Sequence, residues 1–125
     1  MLDVLLVAVG AAAGGPARFL TDRVLASWRE ADVFPWGTFT VNVVGSFILG
    51  LLAGGVARHG VSHDVMILVG TGFCGALTTF SSFGYETMRL VEAGAYGAAG
   101  ANVVGNTGFG LLAAALGWVV AGVLW

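Results

Sequence analysis

Four long apolar runs separated by short polar interruptions frame this 125-residue chain. They extend from about Val4 to Phe19, Thr38 to Ala57, Val65 to Arg89 and Ala98 to Trp125. A hydrocarbon core about 30 Å thick takes roughly 20 apolar residues per helical span, so the chain has room for four spans and short loops. The pattern predicts an all-α integral membrane protein, one four-helix transmembrane domain covering residues 1–125.

The polar residues inside these runs fall into rows. Thr38, Asn42 and Ser46 recur every four residues, which puts them on one helix face, with Gly50 and Gly54 on the same broad side. Asn102 and Asn106 repeat that interval in the fourth run, and Gly110 takes its next position. An amide in hydrocarbon is costly without a partner. Two such rows suit a narrow hydrated pathway, and amides joining two helices would give the same pattern. Gly10 and Gly14 in the first run have the small-residue spacing that lets another helix approach closely. Gly14-Gly15-Pro16 then interrupts that run, and Asp3 is placed to cap its start.

The third run contains the least ordinary stretch, Gly70 to Phe83, GTGFCGALTTFSSF, in which glycines, hydroxyls and aromatics interrupt an apolar helix. Irregular backbone at membrane depth is tolerated where it is buried in protein or lines a cavity. The stretch therefore predicts a break near the middle of the third span. In a broken helix the freed carbonyls of the first half can bind a cation, while the amide end of the second half favours an anion. A kinked helix with a tight glycine and serine packing face is the simpler alternative. Gly70 to Gly75 also matches the dinucleotide fingerprint GxGxxG, but that motif needs a strand, a helix and a parallel sheet, which this chain lacks.

Composition agrees with the pattern: 58% of residues are hydrophobic and 10% charged, with a mean hydropathy of +0.92. A net charge of -2 and the absence of lysine argue against a nucleic-acid partner. No soluble protein partner is implied. The N-terminus lacks a basic n-region and reads as the first span rather than a cleaved signal. Cys74, the one cysteine, has no partner for an internal disulfide. Asp22 to Trp36 is the longest loop and in part an extension of the first helix; its charges, including Arg29, Glu30 and Asp32, read as a solvated surface, with Trp28 and Trp36 as interfacial anchors. His59, His63 and Asp64 in the next turn are assigned no metal site. Glu86 and Arg89 stand three apart, as a pair near the interface would. Arg18 is either a snorkelling residue or a fixed charge near an anion entrance. The arginines divide almost evenly between the two sides of a four-span bundle, so insertion in both orientations is open, and with it an antiparallel homodimer.

These residues resemble the bacterial fluoride channels of the Fluc (CrcB) family over essentially the whole length. The likeness is carried by GGPAR at Gly14 to Arg18, GTFTVNVVGSFILG at Gly37 to Gly50, and GTGFCGALTTFSSF at Gly70 to Phe83. It implies a multi-pass protein of the bacterial inner membrane, built as a dual-topology antiparallel homodimer with two pores. It also implies a structural sodium ion (Na+) on the two-fold axis, held by the backbone carbonyls of Gly75 and Thr78. Phe80 and Phe83 would turn ring edges to fluoride, Asn42 would donate to it, and Thr38, Ser82 and Asn106 would be polar lining. Arg18 would stand near a vestibule. Asn106 departs from the serine frequent there, and Gly110 lacks a hydroxyl some members carry. By the same resemblance Glu86 would touch the end of this track, and the role of Asn102 is left open.

No enzymatic chemistry is implied; fluoride would leave the cytosol passively. A small-multidrug-type coupled transporter would need a carboxylate in the middle of a span, whereas Asp3, Glu86 and Glu92 fall near predicted helix ends. A non-conducting assembly subunit, its glycines and amides serving only packing, is the other alternative.

Overall fold

The computed structural model describes residues 1–28, 33–58 and 60–125. Arg29, Glu30, Asp32 and His59, placed in loops from the sequence, lie outside them. Among the described residues, four helical segments are long and apolar enough to span a membrane: Leu2–Trp28, Trp36–Ala57, His63–Glu92 and Tyr96–Leu124. We label α1 (Leu2–Trp28), α2 (Trp36–Ala57), α3 (His63–Val65), α4 (Gly75–Leu77), α5 (Phe80–Glu92) and α6 (Tyr96–Leu124). Between α3 and α4 runs a π-helical stretch, Met66–Cys74.

α1 continues through Pro16 and on past Phe19 to Trp28, taking in the first part of the stretch read in part as an extension of the first helix. Proline removes one helical donor, a loss that tertiary contacts offset in membrane helices. Its start also differs: Asp3 lies inside the first turn, and its carboxylate is 3.7 Å from the His63 ring. Gly10 and Gly14 do admit a neighbour, the π-helical stretch. A Cβ on Gly10 would run into Leu68 O, and one on Gly14 into Phe73 O, so the two backbones touch. The wide π turn brings Gly72 to the same contact, where its Cβ would stand 2.8 Å from Val7 O.

The most extensive pairing is α2 against α6. On α2, Gly50 meets Ala114 and Gly54 meets Ala121. On α6, Gly117 meets Phe47 and Leu51. At the other end of the pair an aromatic chain closes the bundle: Phe34, Trp36, Phe39 and Phe109 follow one another with centroids 4.7, 5.8 and 5.7 Å apart.

The break in the third span falls at Thr78 and Thr79, both extended, with ψ of 157° and 123°. Thr79 caps α5, its hydroxyl accepting from Ser82 N at 3.1 Å, as N-cap threonines do. The chain therefore starts a new helix in the middle of the span.

Candidate functional site

The break opens on a cavity of about 230 Å³ lined by Asn42, Ser46, Leu49, Thr78, Thr79, Phe80 and Phe83. The polar row of α2 continues from it to a second cavity of about 540 Å³, where Thr38 meets Asp22 and Glu86. Thr38 to Ser46 is two turns of helix, about 12 Å at 1.5 Å per residue. The row thus connects the two cavities along one helix face.

At the break, Asn42 grips the backbone of Thr79 from both sides. Its Oδ1 accepts from Thr79 N at 2.9 Å, and its Nδ2 donates to Thr79 O at 3.3 Å. The same Nδ2 donates to Asn106 Oδ1 at 3.0 Å, so both amide hydrogens of Asn42 are engaged within the protein. The sequence left open whether the rows on α2 and α6 meet as amide pairs or line a pathway. Here the rows meet as an amide pair, and Asn42 also lines the cavity at the break.

Phe80 and Phe83 stand together, with centroids 5.7 Å apart and planes inclined by 47°. Phe80 is 85% exposed on the single chain, a large ring left open at the end of a broken helix. The edge of an aromatic ring carries positive partial charge and can face an anion. The hydroxyls of Ser46 and Ser82 have no hydrogen-bond partner among the described residues. Of the two, Ser46 lines the cavity with the rings.

Gly75 and Thr78 precede the break, and their carbonyls lose the donors a continuous helix would supply. The amide of Thr79 is turned to Asn42, and that of Ser82 to the Thr79 hydroxyl. Carbonyl oxygens released in this way are hard donors suited to a cation such as sodium. A Cβ on Gly75 would meet nothing within 4 Å, so this backbone is open to a neighbour.

At the far end of the row, Thr38 is 2% exposed, and its hydroxyl donates to Glu86 Oε1 at 2.9 Å. Glu86 Oε2 is buried without a hydrogen-bond partner among the described residues. Glu86 does not pair with Arg89, because the cross-helix hydroxyl holds the carboxylate while Arg89 lies over the Tyr85 ring at 6.0 Å. The extension of α1 brings Asp22 to this cavity, against Gly37. Arg18 is half-buried one turn before Asp22, and the two charges interact. It stands on the helix that borders the larger cavity, away from the break.

Two residues of the site escaped the sequence reading. Thr87 accepts from Asn102 Nδ2 at 2.9 Å, and Asp22 was placed in a loop. Thr87 had one signal, its position one turn beyond Phe83, but only the packing of α5 on α6 supplies its partner.

A family profile described as "CrcB-like protein, Camphor Resistance (CrcB)" matches residues 5–118. The chain is 52% identical to a Frankia casuarinae protein named fluoride-specific ion channel FluC 1, over 99% of each chain. It is 49% identical to a protein of the same name from Streptomyces avermitilis, again over 99% of each. A Novosphingobium aromaticivorans protein named fluoride-specific ion channel FluC is 42% identical, over 86% of this chain and 90% of its own. The chain belongs to the CrcB family. Its four spans and these relatives place it in the bacterial inner membrane as a multi-pass protein.

Proposed function

We propose that this member of the CrcB family is a fluoride-selective channel through which cytosolic fluoride leaves passively. It works as an antiparallel, dual-topology homodimer with a sodium ion at its centre. The observation that carries the reading is the cavity at the break, where aromatic rings stand beside the unengaged Ser46 hydroxyl and a firmly held amide. End-to-end similarity to proteins named as fluoride-specific ion channels supports it. The chain is a channel protein and not an enzyme.

A small anion with a tight hydration shell must exchange water for donors as it enters, without falling into a deep well. Ser82 and Ser46 offer hydroxyls, and Phe80 and Phe83 offer ring edges. Asn42 can donate to the anion only by giving up a bond it already makes. The 3.3 Å bond to Thr79 O is the longest of these and so the first to yield. Thr38, Asn106 and Arg18 extend the polar route away from the break. Gly75 and Thr78 would hold the sodium ion through their carbonyls. When bound, that ion supplies a fixed positive charge that raises the potential near the anion's route.

Exposure of Phe80 and the open backbone at Gly75 supports the dimer, since a second copy would cover both. Small uneven charges at the two ends of the bundle suit insertion in either orientation.

The test is efflux from liposomes containing the purified protein, followed with a fluoride electrode. Fluoride should leave rapidly once the membrane potential is relieved, with chloride retained. Equal chloride flux, or fluoride flux that requires a proton gradient, would count against a channel. Changing Phe80 or Phe83 to isoleucine should lower flux at least tenfold, the effect of about 1.4 kcal/mol on a barrier, with the dimer intact by cross-linking. Wild-type rates in both variants would remove the aromatic pair from the pathway.

A further inference from the structure

Thr87 and Asn102 lie outside the cavity at the break, yet one continuous chain of hydrogen bonds joins them to it. It begins at Thr79 N, which donates to Asn42 Oδ1. Asn42 Nδ2 donates to Asn106 Oδ1 at 3.0 Å, and Asn106 Nδ2 to Asn102 Oδ1 at 2.7 Å. Asn102 Nδ2 then donates to Thr87 Oγ1 at 2.9 Å, whose hydroxyl donates to Phe83 O at 2.7 Å.

Both ends of this chain are backbone groups of fixed polarity, because an N–H can only donate and a carbonyl can only accept. Every amide between them is therefore held in one orientation: turning any one would set donor against donor or acceptor against acceptor. The middle of the chain is dry, with Asn102 0% and Asn106 8% exposed. Bulk water does not reach these links, and the bonds reinforce one another in the low dielectric.

The two ends also lie four residues apart on the same span. The helix joins them directly, from Phe83 N back to Thr79 O, as the first bond of α5. A second link, of the opposite sense, leaves the span at the break, passes through α2 and α6, and returns to the carbonyl of Phe83. It closes around the first turn of α5, the turn that carries both rings.

We infer that Asn102 and Thr87 are positioning residues of the ion pathway. Through Asn106 they fix the orientation of the Asn42 amide, and through Phe83 O they set the first turn of α5, so that the pair governs discrimination between anions. This inference rests on the channel reading above. If the amides served only to join helices, losing a link would lower stability and leave selectivity alone.

Thr87→Val keeps the shape of the side chain but removes both of its hydrogen bonds, while Thr87→Ser keeps the hydroxyl. In liposomes, Thr87→Val should reduce the fluoride-to-chloride rate ratio about tenfold and shift the half-saturating fluoride concentration, an effect of the size of one lost hydrogen bond. Thr87→Ser should stay within about twofold of wild type. A Thr87→Val protein with unchanged ratio and concentration dependence would overturn the inference. Should that variant not fold, side-chain amide exchange in the wild-type protein, read by nitrogen-15 NMR in micelles, decides. The Asn102 and Asn106 amide protons should exchange slowly, and rapid exchange at Asn102 would overturn it. Wild-type protein that passes no fluoride would instead sink the channel reading, while amide exchange would still decide the hydrogen-bond chain on its own.

Discussion

The α2–α6 pair is held together differently at its two ends. Toward the C-terminal end of α2 the helices meet backbone to backbone. A Cβ on Gly50 would stand 2.7 Å from Ala114 C, and one on Gly117 2.7 Å from Leu51 N. Toward the Thr38 end they meet through amides, with Asn42 bonded to Asn106 and Asn102 completely buried. Without a hydrophobic drive between helices in lipid, close packing and hydrogen bonds are the available adhesives. Close packing leaves no space, whereas side chains that bridge a gap leave room for a cavity beside them. The glycine end therefore fixes how the helices approach, and the amide end leaves room for the cavity beside Asn42.

The largest effect should come from the glycine end. Gly117→Val places branched carbons against the Phe47 and Leu51 backbone, which has no rotamer by which to yield. Overpacking costs about 1–3 kcal/mol, and more where the neighbouring backbone cannot shift. The expected outcome is no monodisperse protein on size exclusion in detergent. A folded Gly117→Val protein would mean that the helices can slide apart there, and the contrast between the two ends would fail.

An intermediate effect is expected at the amide end. Asn106→Leu keeps the heavy-atom count and branching of the side chain, though methyl groups are bulkier, and it removes the acceptor for Asn42 and the donor to Asn102. Leaving buried polar groups unpaired costs about 1–3 kcal/mol. The variant should fold, unfold at a lower temperature by tryptophan fluorescence in micelles, and lose discrimination between fluoride and chloride. A loss of stability with selectivity retained would reduce the amide end to an adhesive like the glycine end.

Much of this contrast was legible in the sequence. The apolar runs gave the four spans, and the four-residue spacing of Thr38, Asn42 and Ser46, then of Asn102 and Asn106, gave the face on which α2 and α6 meet. Helix breakers and hydroxyls marked the break. What stayed hidden was set by partners distant in sequence. Glu86 had a local candidate in Arg89, but Thr38, 48 residues away, holds it. The π-helical stretch takes its form where Gly10 and Gly14 press on it, and no local propensity announces that contact. Pro16 read as an interruption because a proline's cost is local, while the packing that lets α1 continue to Trp28 is not.

The smallest effect should have the opposite sign and comes from a glycine of the same helix that touches nothing. Gly108 lies between Asn106 and Gly117 on α6, and a Cβ there would meet no atom within 4 Å. Glycine is a poor helix former because it loses the most backbone freedom on folding, so Gly108→Ala should stabilise by about 0.5–1 kcal/mol. Thermal unfolding should move slightly upward with flux unchanged. Set beside Gly117→Val, this separates glycines that exist for close approach from one whose face is open in the single chain. A fall in stability at Gly108 would mean that another chain lies on that face. The contrast would then extend from the helix pair to the dimer, because the polar half of α6 would also be packed through glycine.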